Sequence, residues 1–461
     1  MSRTVGDPTI VESELARLRR TFDGGRTRGL AWRLAQLAAL IRLLDEEEER
    51  IVSALAADLG RGRHESWLGD IASTRGEAEY ARRRLRSWIR RRHTGLPLSM
   101  MPGRAFYQYE PLGTVLVIAP WNYPFYLSLG PMIAALAAGN TVILKPSEHA
   151  PLSAATMAEL LPRYLDPDAI AVIEGAASVT QAVIAQGVDH VFFTGGPEIA
   201  THVMRAAAES LTPVTLELGG KSPAIVTGEA DLDVAARRLA WVKLLNSGQT
   251  CIAPDYVLVQ EDLREPLLDR LVSVVTEFRS EETSMQRVID SRHLGRLERL
   301  LDGHGGRVVL GGSVLDDPPS IAPTIVADPD PSSALMQEEI FGPILPVLGV
   351  PSLDVAIAFV TARPKPLGLY LFSGSARERE RVLAETSSGG VVVNHAAMHC
   401  LVPHLPFGGV GRSGMGAYHG KWGFAALSHR KAVLSKPERP DPRFVYPPYT
   451  PRVERLLRRL F

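Results

Sequence analysis

The sequence predicts an α/β protein built on parallel sheets. Between residues 111 and 215, short apolar runs alternate with helical stretches, and a second block of the same kind runs from about residue 217 to residue 394. Such alternation is typical of parallel sheets, because each connection between parallel strands needs a crossover, usually a helix. At 461 residues, the chain exceeds the size at which a single hydrophobic core stops growing, so two or three domains are expected.

The overall composition limits the kinds of partner and the cellular compartment that are expected for this chain. Acidic and basic residues balance at 51 each, so the formal net charge is zero and nothing favours nucleic acid as a partner. Two cysteines are too few for a disulfide framework, and residues 1–7 lack the apolar core of a signal peptide. A reducing, cytoplasmic setting is therefore expected. No metal site is expected.

Residues 111–144 contain no charged side chain and are long enough to suggest a membrane span. Proline and glycine interrupt the run at several places, which argues against one continuous helix. We interpret it as a buried unit in which a strand, a loop, a helix and a second strand follow one another. The predicted bounds are 115–118 for the first strand, 131–138 for the helix and 141–144 for the second strand.

Other elements follow from local patterns. Residues 8–60 have a helical apolar stripe and end at a glycine, which predicts two opening helices. Further predicted elements are strands at 169–173, 190–193 and 256–259 and a helix at 232–246. The proline-rich residues 436–451 predict an extended tail.

The last residues of the chain form an amphipathic pattern. Apolar residues recur at helical spacing among four arginines, and they are Val453, Leu456, Leu457, Leu460 and Phe461. A basic amphipathic helix of this kind can cover a substrate funnel, touch a membrane surface or dock on its own protein. No membrane span is expected.

Cys251 is the candidate nucleophile. It closes the run NSGQTC at residues 246–251, and the glycine in that run allows a tight loop. Glu217 opens a second loop of small residues, ELGGKSP, at residues 217–223. A thiol and a carboxylate are the minimum groups for making and hydrolysing a thioester. The alternative for any one cysteine is an inert, buried, small apolar side chain.

Residues 192–198 (FFTGGPE) form the best candidate phosphate loop. Thr194, Gly195 and Gly196 follow an apolar strand and precede a helical stretch, whose free N–H groups and dipole favour an anion. Two other glycine motifs are rejected. The match at residues 409–414 lacks a strand-to-helix context, and the GKS at residues 220–222 lacks the upstream glycine of a phosphate-binding loop.

Two more loops follow predicted buried strands, where parallel sheets usually bind ligands. The first, residues 119–124, carries the amide of Asn122. The second contains Lys145 and Glu148, a cation and a carboxylate that can bind ribose hydroxyls. A solvated surface pair is the alternative for the latter two.

Taken in order, these segments resemble the aldehyde dehydrogenase superfamily over nearly the whole chain. The matching segments are residues 120–124 (PWNYP), 144–148 (LKPSE), 193–196 (FTGG), 217–223 (ELGGKSP), 248–251 (GQTC), 338–343 (EEIFGP) and 406–411 (PFGGVG). Residues 251–256 (CIAPDY) and 413–421 (SGMGAYHGK) are similar to the class 3-type branch, which includes fatty, aromatic and coniferyl aldehyde dehydrogenases.

The resemblance implies the aldehyde dehydrogenase fold, with a Rossmann-like NAD(P)-binding domain, an α/β catalytic domain and a small bridging arm that pairs subunits into a homodimer. The implied division is 1–90 with 110–216 for the NAD(P)-binding domain, 217–395 for the catalytic domain, 91–109 with 396–445 for the arm, and 446–461 for the tail.

The resemblance also implies a chemical role for three residues. Cys251 attacks the aldehyde carbon, while the Asn122 amide and the Cys251 backbone N–H stabilise the oxyanion. Hydride leaves for the nicotinamide, and Glu217 activates the water that hydrolyses the remaining thioester to a carboxylic acid.

The implied cofactor is NAD, with NADP also possible. Lys145 and Glu148 hold the adenosine ribose in this lineage, and a carboxylate there favours NAD because it repels a 2′-phosphate. The other implied cofactor residues are Thr194, Gly195, Gly196, Leu218, Gly219, Glu339 and Phe341. Many relatives have serine where this chain has Gly196 and glycine where it has Ala200, which removes one pyrophosphate hydrogen bond.

Substrate residues are predicted from spacing. Trp241 and Leu245 lie four apart on the helix before Cys251 and share a face, and with Tyr123 and Thr250 they are expected to line an apolar funnel for an aromatic or medium-to-long aliphatic aldehyde. Core packing of that helix is the alternative. Two other functions remain open: a dehydrogenase that transfers the acyl group to coenzyme A, and a non-catalytic binding protein on the same scaffold. Glu217 argues for water as the acyl acceptor.

Overall fold

The protein is described by a computed structural model that covers residues 8–280, 286–316 and 319–460. Residues 1–7, on which the signal-peptide prediction depends, and Phe461 of the amphipathic pattern lie outside the described residues. Within those ranges, no helix is both long and apolar enough to cross a membrane.

The chain opens with a helical layer. Its helices are α1 (Pro8–Asp23), α2 (Leu30–Glu46), α3 (Glu48–Leu59), α4 (Arg63–Ser66) and α5 (Ser73–Trp88). The prediction of two helices over residues 8–60 is wrong, because three α-helices occupy them. The first break follows from Gly25, which adopts a left-handed φ of 75°. Gly60 ends α3 in the left-handed conformation, as predicted.

Strands and helices then alternate. They are β1 (Arg92–Thr94), β2 (Arg104–Pro111), β3 (Thr114–Ile118), α6 (Tyr126–Ala138), β4 (Thr141–Lys145), α7 (Pro151–Tyr164), β5 (Ile170–Val172), α8 (Ala177–Ala185), β6 (His190–Thr194), α9 (Pro197–Ala208) and β7 (Val214–Glu217).

The second half continues in the same manner. Its elements are β8 (Pro223–Val226), α10 (Leu232–Leu244), β9 (Tyr256–Gln260), α11 (Arg264–Ser280), α12 (Ser291–Leu301), β10 (Arg307–Leu310), β11 (Val314–Asp316), β12 (Pro319–Ile321), β13 (Thr324–Ala327), α13 (Ala334–Gln337), β14 (Ile344–Val350), α14 (Leu353–Thr361), β15 (Gly368–Phe372), α15 (Ala376–Glu385), β16 (Gly390–Val393), β17 (Gly414–Met415), α16 (Gly420–Ala426), β18 (Ser428–Ser435) and α17 (Pro451–Leu460).

Two large sheets confirm the predicted fold class. The first has the order β17-β7-β6-β3-β4-β5, and all of its pairs are parallel except β17 with β7. The second has the order β10-β13-β14-β9-β8-β15-β16 and is parallel except at its β10 edge. A separate antiparallel sheet joins β1, β2 and β18, and β11 pairs with β12.

The uncharged stretch folds as a strand, a loop, a helix and a strand, as predicted. Its helix begins earlier than predicted, at Tyr126 instead of Pro131. Proline removes one backbone hydrogen bond from a helix interior. Every residue of α6 is buried, so the apolar packing of this helix outweighs that local preference.

The predicted helix at 232–246 is too long by two residues. Helix α10 ends at Leu244, and Asn246 has a φ of 52° and a ψ of 33°, which places it outside the right-handed helix.

The amphipathic C-terminal helix is present as α17. Docking of its apolar side on the protein was one of three predicted alternatives, and Leu456 is 43% exposed. Tertiary packing therefore leaves this helix largely at the surface.

Candidate functional site

The candidate site lies at one edge of the first sheet. Strands β3, β6 and β7 are adjacent and parallel, so the loops after their carboxyl ends meet at that edge. This arrangement brings together the Asn122 loop, the loop at Thr194 and the side chain of Glu217.

Cys251 lies where two cavities meet. One is a largely apolar pocket with about 840 Å³ of space free of protein atoms, and the other is a larger, more polar cleft with about 2030 Å³ of such space. Cys251 and Leu127 belong to the walls of both. A reagent in the pocket and a second molecule in the cleft can therefore approach the same sulfur.

A run of left-handed residues leads from α10 toward Cys251. Asn246, Ser247 and Gly248 have φ values of 52°, 53° and 70°. A Cβ atom at Gly248 would lie 2.2 Å from the carbonyl oxygen of Gly342, so only glycine fits there. Non-glycine residues rarely adopt this conformation, and such backbone strain is often found at functional sites.

Asn122 is anchored beside the cysteine loop. Its Nδ2 donates to the carbonyl of Gln249 at 3.0 Å. The Asn246 side chain donates to that same carbonyl at 3.0 Å and to the Asn122 carbonyl at 2.9 Å. Asn122 is buried, and its amide is bonded to Gln249, which lies two residues before Cys251 in the chain. The amide therefore has little freedom to move.

The surroundings of Cys251 favour the uncharged thiol over the thiolate. Burial raises the pKa of Cys251, and the nearby carboxylate of Glu339 raises this pKa further. Formation of the nucleophilic thiolate therefore requires a group that accepts its proton.

Glu217 carries a buried carboxylate. It ends β7, where it pairs with Gly414 of β17 and Thr194 of β6. Among the described residues, neither of its carboxylate oxygens has a hydrogen-bond partner. Burial raises the pKa of Glu217 well above its ordinary value. An unsatisfied buried carboxyl group costs stability, and such groups cluster at functional sites.

Residues 194–196 line one part of the cleft. Gly195 and Gly196 lie between β6 and α9, and no described side chain caps the N-terminus of α9. The Thr194 hydroxyl is buried and has no hydrogen-bond partner among the described residues. A Cβ atom at Gly195 would lie 2.6 Å from the ring of Phe193. Open helix N–H groups and an unpaired hydroxyl suit an anion, so these residues fit the pyrophosphate of a dinucleotide.

The cleft is also lined by Leu218, Gly219, Glu339 and Phe341. Burial, reinforced by Asp255, raises the pKa of Glu339 to about 8. Phe341 has a positive φ of 48°, and its ring meets Trp121 edge-on with centroids 5.4 Å apart. Carboxylate and ring thus face one ligand space, which suits a ribose and an aromatic ring.

Lys145 and Glu148 lie at the end of β4 and outside the cleft wall formed by the residues above. The Lys145 Nζ is 2.6 Å from Glu148 Oε2, so the two side chains form an ion pair. Because Lys145 pairs with Ile118 of β3, both side chains lie at the same sheet edge as the Asn122 loop.

All four predicted substrate residues line the apolar pocket. Tyr123, Trp241, Leu245 and Thr250 are in its wall, and the Tyr123 hydroxyl lies 2.9 Å from Thr250 Oγ1. Sequence reasoning missed other residues that line the pocket, among them Tyr126, Met398, Leu401, Phe407 and His419. Phe407 and His419 belong to matched motifs, but nothing local indicated that they face Cys251.

Two further sets of residues escaped sequence reasoning. Arg292, Arg296 and Arg412 line the cleft. Arg61 and Asp70 form a fully buried ion pair under the Asn122 loop. Within residues 8–280, 286–316 and 319–460, no cluster of histidine, cysteine and acidic side chains is arranged to hold a metal ion.

Comparisons with known proteins show which proteins this chain is similar to in sequence. The sequence model of the Aldehyde dehydrogenase family matches residues 5–433. Aldehyde dehydrogenase family 3 member A2 of Mus musculus is 45% identical over 430 residues, covering 92% of this chain and 88% of that protein. Aldehyde dehydrogenase family 3 member B1 of Homo sapiens is 44% identical over 449 residues, covering 96% of each.

A solved structure extends the likeness to the fold. The structure described as the substrate-bound state of Staphylococcus aureus AldH superposes with a TM-score of 0.94. It is 40% identical in sequence, and the match covers 98% of this chain and 99% of that chain.

Proposed function

This chain belongs to the aldehyde dehydrogenase family, and from that premise we propose that Cys251 is the nucleophile in the NAD(P)-dependent oxidation of apolar aldehydes to carboxylic acids. The observation that carries the proposal is the position of Cys251 in the walls of both the apolar pocket and the cleft. An aldehyde in the pocket and a dinucleotide in the cleft would then meet at its sulfur.

The first step begins when the Cys251 thiol loses its proton to solvent water in the cleft, and the resulting thiolate sulfur attacks the aldehyde carbon. The carbonyl π electrons move onto the oxygen, which becomes an oxyanion. Asn122 Nδ2 has a second N–H besides the one given to Gln249, and this N–H with the backbone N–H of Cys251 stabilises the oxyanion. A fixed donor in a water-poor site is effective because it needs no reorganisation when charge develops.

The cofactor residues follow from the fit of the cleft. Thr194, Gly195 and Gly196 would hold the pyrophosphate, Glu339 and Phe341 the nicotinamide ribose and ring, and Lys145 and Glu148 the adenosine ribose. Leu218 and Gly219 complete the wall of the cleft. Bound NAD or NADP supplies the acceptor for the hydride that leaves the aldehyde carbon.

Glu217 is proposed as the base that hydrolyses the resulting thioester on Cys251. It takes a proton from water, the oxygen of that water bonds to the thioester carbon, and the carbon–sulfur bond breaks to release the acid. Its raised pKa places proton acceptance nearer neutral pH than for an exposed glutamate. Transfer to coenzyme A would not need this base, and a non-catalytic protein would need none of the three groups.

The pocket supports an apolar substrate. Trp241, Leu245 and Phe407 are among its lining side chains, and none of the described residues that line it is a lysine or an arginine. An aldehyde that carries a carboxylate or phosphate would lose its hydration without gaining a cation in return. Aromatic and medium-to-long aliphatic aldehydes therefore fit this site best.

A homodimer is proposed from the arm. Leu98, Met101 and Leu434 lie on or beside the sheet formed by β1, β2 and β18, and they are 79%, 53% and 53% exposed. Clustered exposed apolar side chains favour an interface with another copy of the chain. We also propose the domain division that the family resemblance implies. A cytoplasmic location is proposed because free thiols suit a reducing compartment.

The C-terminal helix α17 offers a second surface. Leu456 is 43% exposed, and arginines flank it at positions 452, 455, 458 and 459. Exposed apolar and basic groups on one helix favour peripheral contact with an anionic membrane surface.

The test of the proposed function is aldehyde-dependent NADH formation by purified protein and by Cys251→Ala. We expect the variant to lose this activity completely. Cys400→Ala, which removes the other thiol of the chain from the wall of the apolar pocket, should retain NADH formation because the nucleophile is still present. Product analysis should find free carboxylic acid whether or not coenzyme A is added. Unchanged turnover in Cys251→Ala would disprove the proposal.

A further inference from the structure

A buried ion pair lies directly beneath the Asn122 loop. Arg61 follows α3, and Asp70 belongs to a π-helical turn at Trp67–Ala72 that leads into α5. The side chains of both residues have no exposed surface. Single π-turns within helices are rare and frequently occur next to functional sites.

The two side chains divide their contacts along the loop. Asp70 Oδ1 accepts the backbone N–H groups of Phe125 and Tyr126, each at 2.9 Å. Asp70 Oδ2 accepts a hydrogen bond from Arg61 Nη1. Arg61 Nη2 donates to the backbone carbonyl of Asn122. The pair therefore holds both ends of the segment 122–126.

Arg61 also supports the neighbouring aromatic ring. Its guanidinium carbon lies 4.5 Å from the centre of the Tyr123 ring, a cation–π contact. Tyr123 in turn reaches Thr250, the residue before Cys251. Arg61 thus contacts the backbone of Asn122, the residue proposed to stabilise the oxyanion. It also contacts the ring of Tyr123, whose hydroxyl reaches the loop that carries Cys251.

A contribution to folding stability does not by itself explain why an ion pair is buried at this place. Removing two charges from water is costly, and apolar side chains of similar volume often replace a buried pair without loss of stability. The Arg61 Nε–H has no hydrogen-bond partner among the described residues, so the pair is not fully satisfied. What apolar side chains cannot reproduce is the set of directed bonds to Asn122, Phe125 and Tyr126.

We propose that Arg61 and Asp70 are positioning residues that hold the Asn122 amide at the oxyanion. This proposal rests on the proposed role of Asn122. Neither residue lines the cleft, so the pair acts on the reaction through Asn122.

The test compares Arg61→Lys in two backgrounds, the unmodified protein and Asn122→Ala. Lysine keeps the charge but cannot hold Asp70 and the Asn122 carbonyl with two separate nitrogens. We expect Arg61→Lys to slow the first turnover of NADH formation roughly tenfold, with the KM for aldehyde and the Kd for NAD within about twofold, because one oxyanion donor is typically worth more than that. The neutral double variant Arg61→Met/Asp70→Asn should be at least as slow.

In the Asn122→Ala background, Arg61→Lys should change the first-turnover rate by less than about twofold, because residues that act through one group are not additive. A full tenfold loss there would overturn the proposal. So would a loss that appears only in KM or in the melting temperature. If Asn122→Ala itself left the rate unchanged, the oxyanion role in the proposed function would fail first.

An exposed ion pair in the same helical layer is the matched control. Arg75 and Asp45 are 2.7 Å apart with side chains 40% and 48% exposed. Arg75→Met/Asp45→Asn should leave the first-turnover rate unchanged in both backgrounds, since surface pairs contribute little and these residues do not touch the Asn122 loop.

Discussion

The carboxylate of Glu339 packs directly on the backbone of Gly219. A Cβ atom at position 219 would lie 2.2 Å from Glu339 Oε1, closer than any real contact allows. Glu339 also accepts a hydrogen bond from the backbone N–H of Gly220. The glycine is therefore needed for the position of the carboxylate, although its own backbone does not adopt a positive φ.

Gly219→Ala should weaken cofactor binding. The new methyl group displaces Glu339, and overpacking of this kind costs of order 1–3 kcal/mol. We expect the Kd of NAD, measured by titration of intrinsic fluorescence, to rise roughly tenfold or more. Gly76→Ala is the control, because a Cβ atom there meets nothing within 4 Å. An unchanged Kd in Gly219→Ala would remove Glu339 from the cofactor site.

Glu339→Gln should stabilise the cofactor-free protein at alkaline pH. The pKa of Glu339 is raised to about 8, against about 4.3 for an unperturbed glutamate. Because the unfolded chain ionises first, this residue lowers the free energy of unfolding as pH rises from about 4.3 to 8. We expect the melting temperature of the variant to exceed that of the parent by about 2 °C or more at pH 8, and the difference to shrink at pH 5. A constant difference across this range would contradict the raised pKa.

Glu217→Gln should separate oxidation from hydrolysis. Without the base, the thioester on Cys251 forms and persists, so NADH should appear as a single burst of one equivalent per site. General bases typically contribute 10²–10⁴-fold, and we expect the steady rate to fall by at least roughly 100-fold. Stopped-flow absorbance measures both phases. Glu229→Gln, which changes an exposed carboxylate, should behave like the parent. Steady turnover at the normal rate would refute the role of Glu217.

Trp241→Ala should act on large substrates alone. Removal of a large apolar side chain from the pocket costs about 1.5–3 kcal/mol of contact with a ligand that reaches it. We expect kcat/KM to fall roughly 10- to 100-fold for decanal and cinnamaldehyde, with little change for acetaldehyde. Trp422→Ala is the control, because Trp422 is 49% exposed and outside the pocket wall. Equal losses for all three aldehydes would assign Trp241 to core packing.

Several parts of the site were predictable because their signals are local. Apolar runs that end in small or polar residues mark the carboxyl ends of buried strands, and parallel strands bring those ends together. For this reason Asn122 and Thr194 were expected in loops that follow buried strands, and the structure places them there. Glu217 was expected only to open a loop of small residues, and it ends β7 beside them. The motifs supplied their order along the chain but no distance between them.

Local signals failed where packing overrides preference. Pro131 predicted the start of a helix and lies inside one, because the surrounding residues of α6 are all buried. The apolar pattern of residues 8–60 predicts two helices, but three are present. The break at Glu47 was missed because the apolar pattern continues on both sides of it.

By itself, the sequence determined the fold class, the thiol and carboxylate, and the glycine-rich loops, since each depends on neighbours within a few residues. Only the tertiary structure decided that Cys251 stands between two cavities and that Glu217 is buried with no hydrogen-bond partner in the part of the chain that the structure describes. It also placed Arg61 and Asp70 beneath Asn122, which lies 61 residues from Arg61 in the chain. Burial and contacts are properties of the folded molecule, because they depend on side chains that are distant in the sequence. The local sequence around one residue does not indicate which distant residues will surround it.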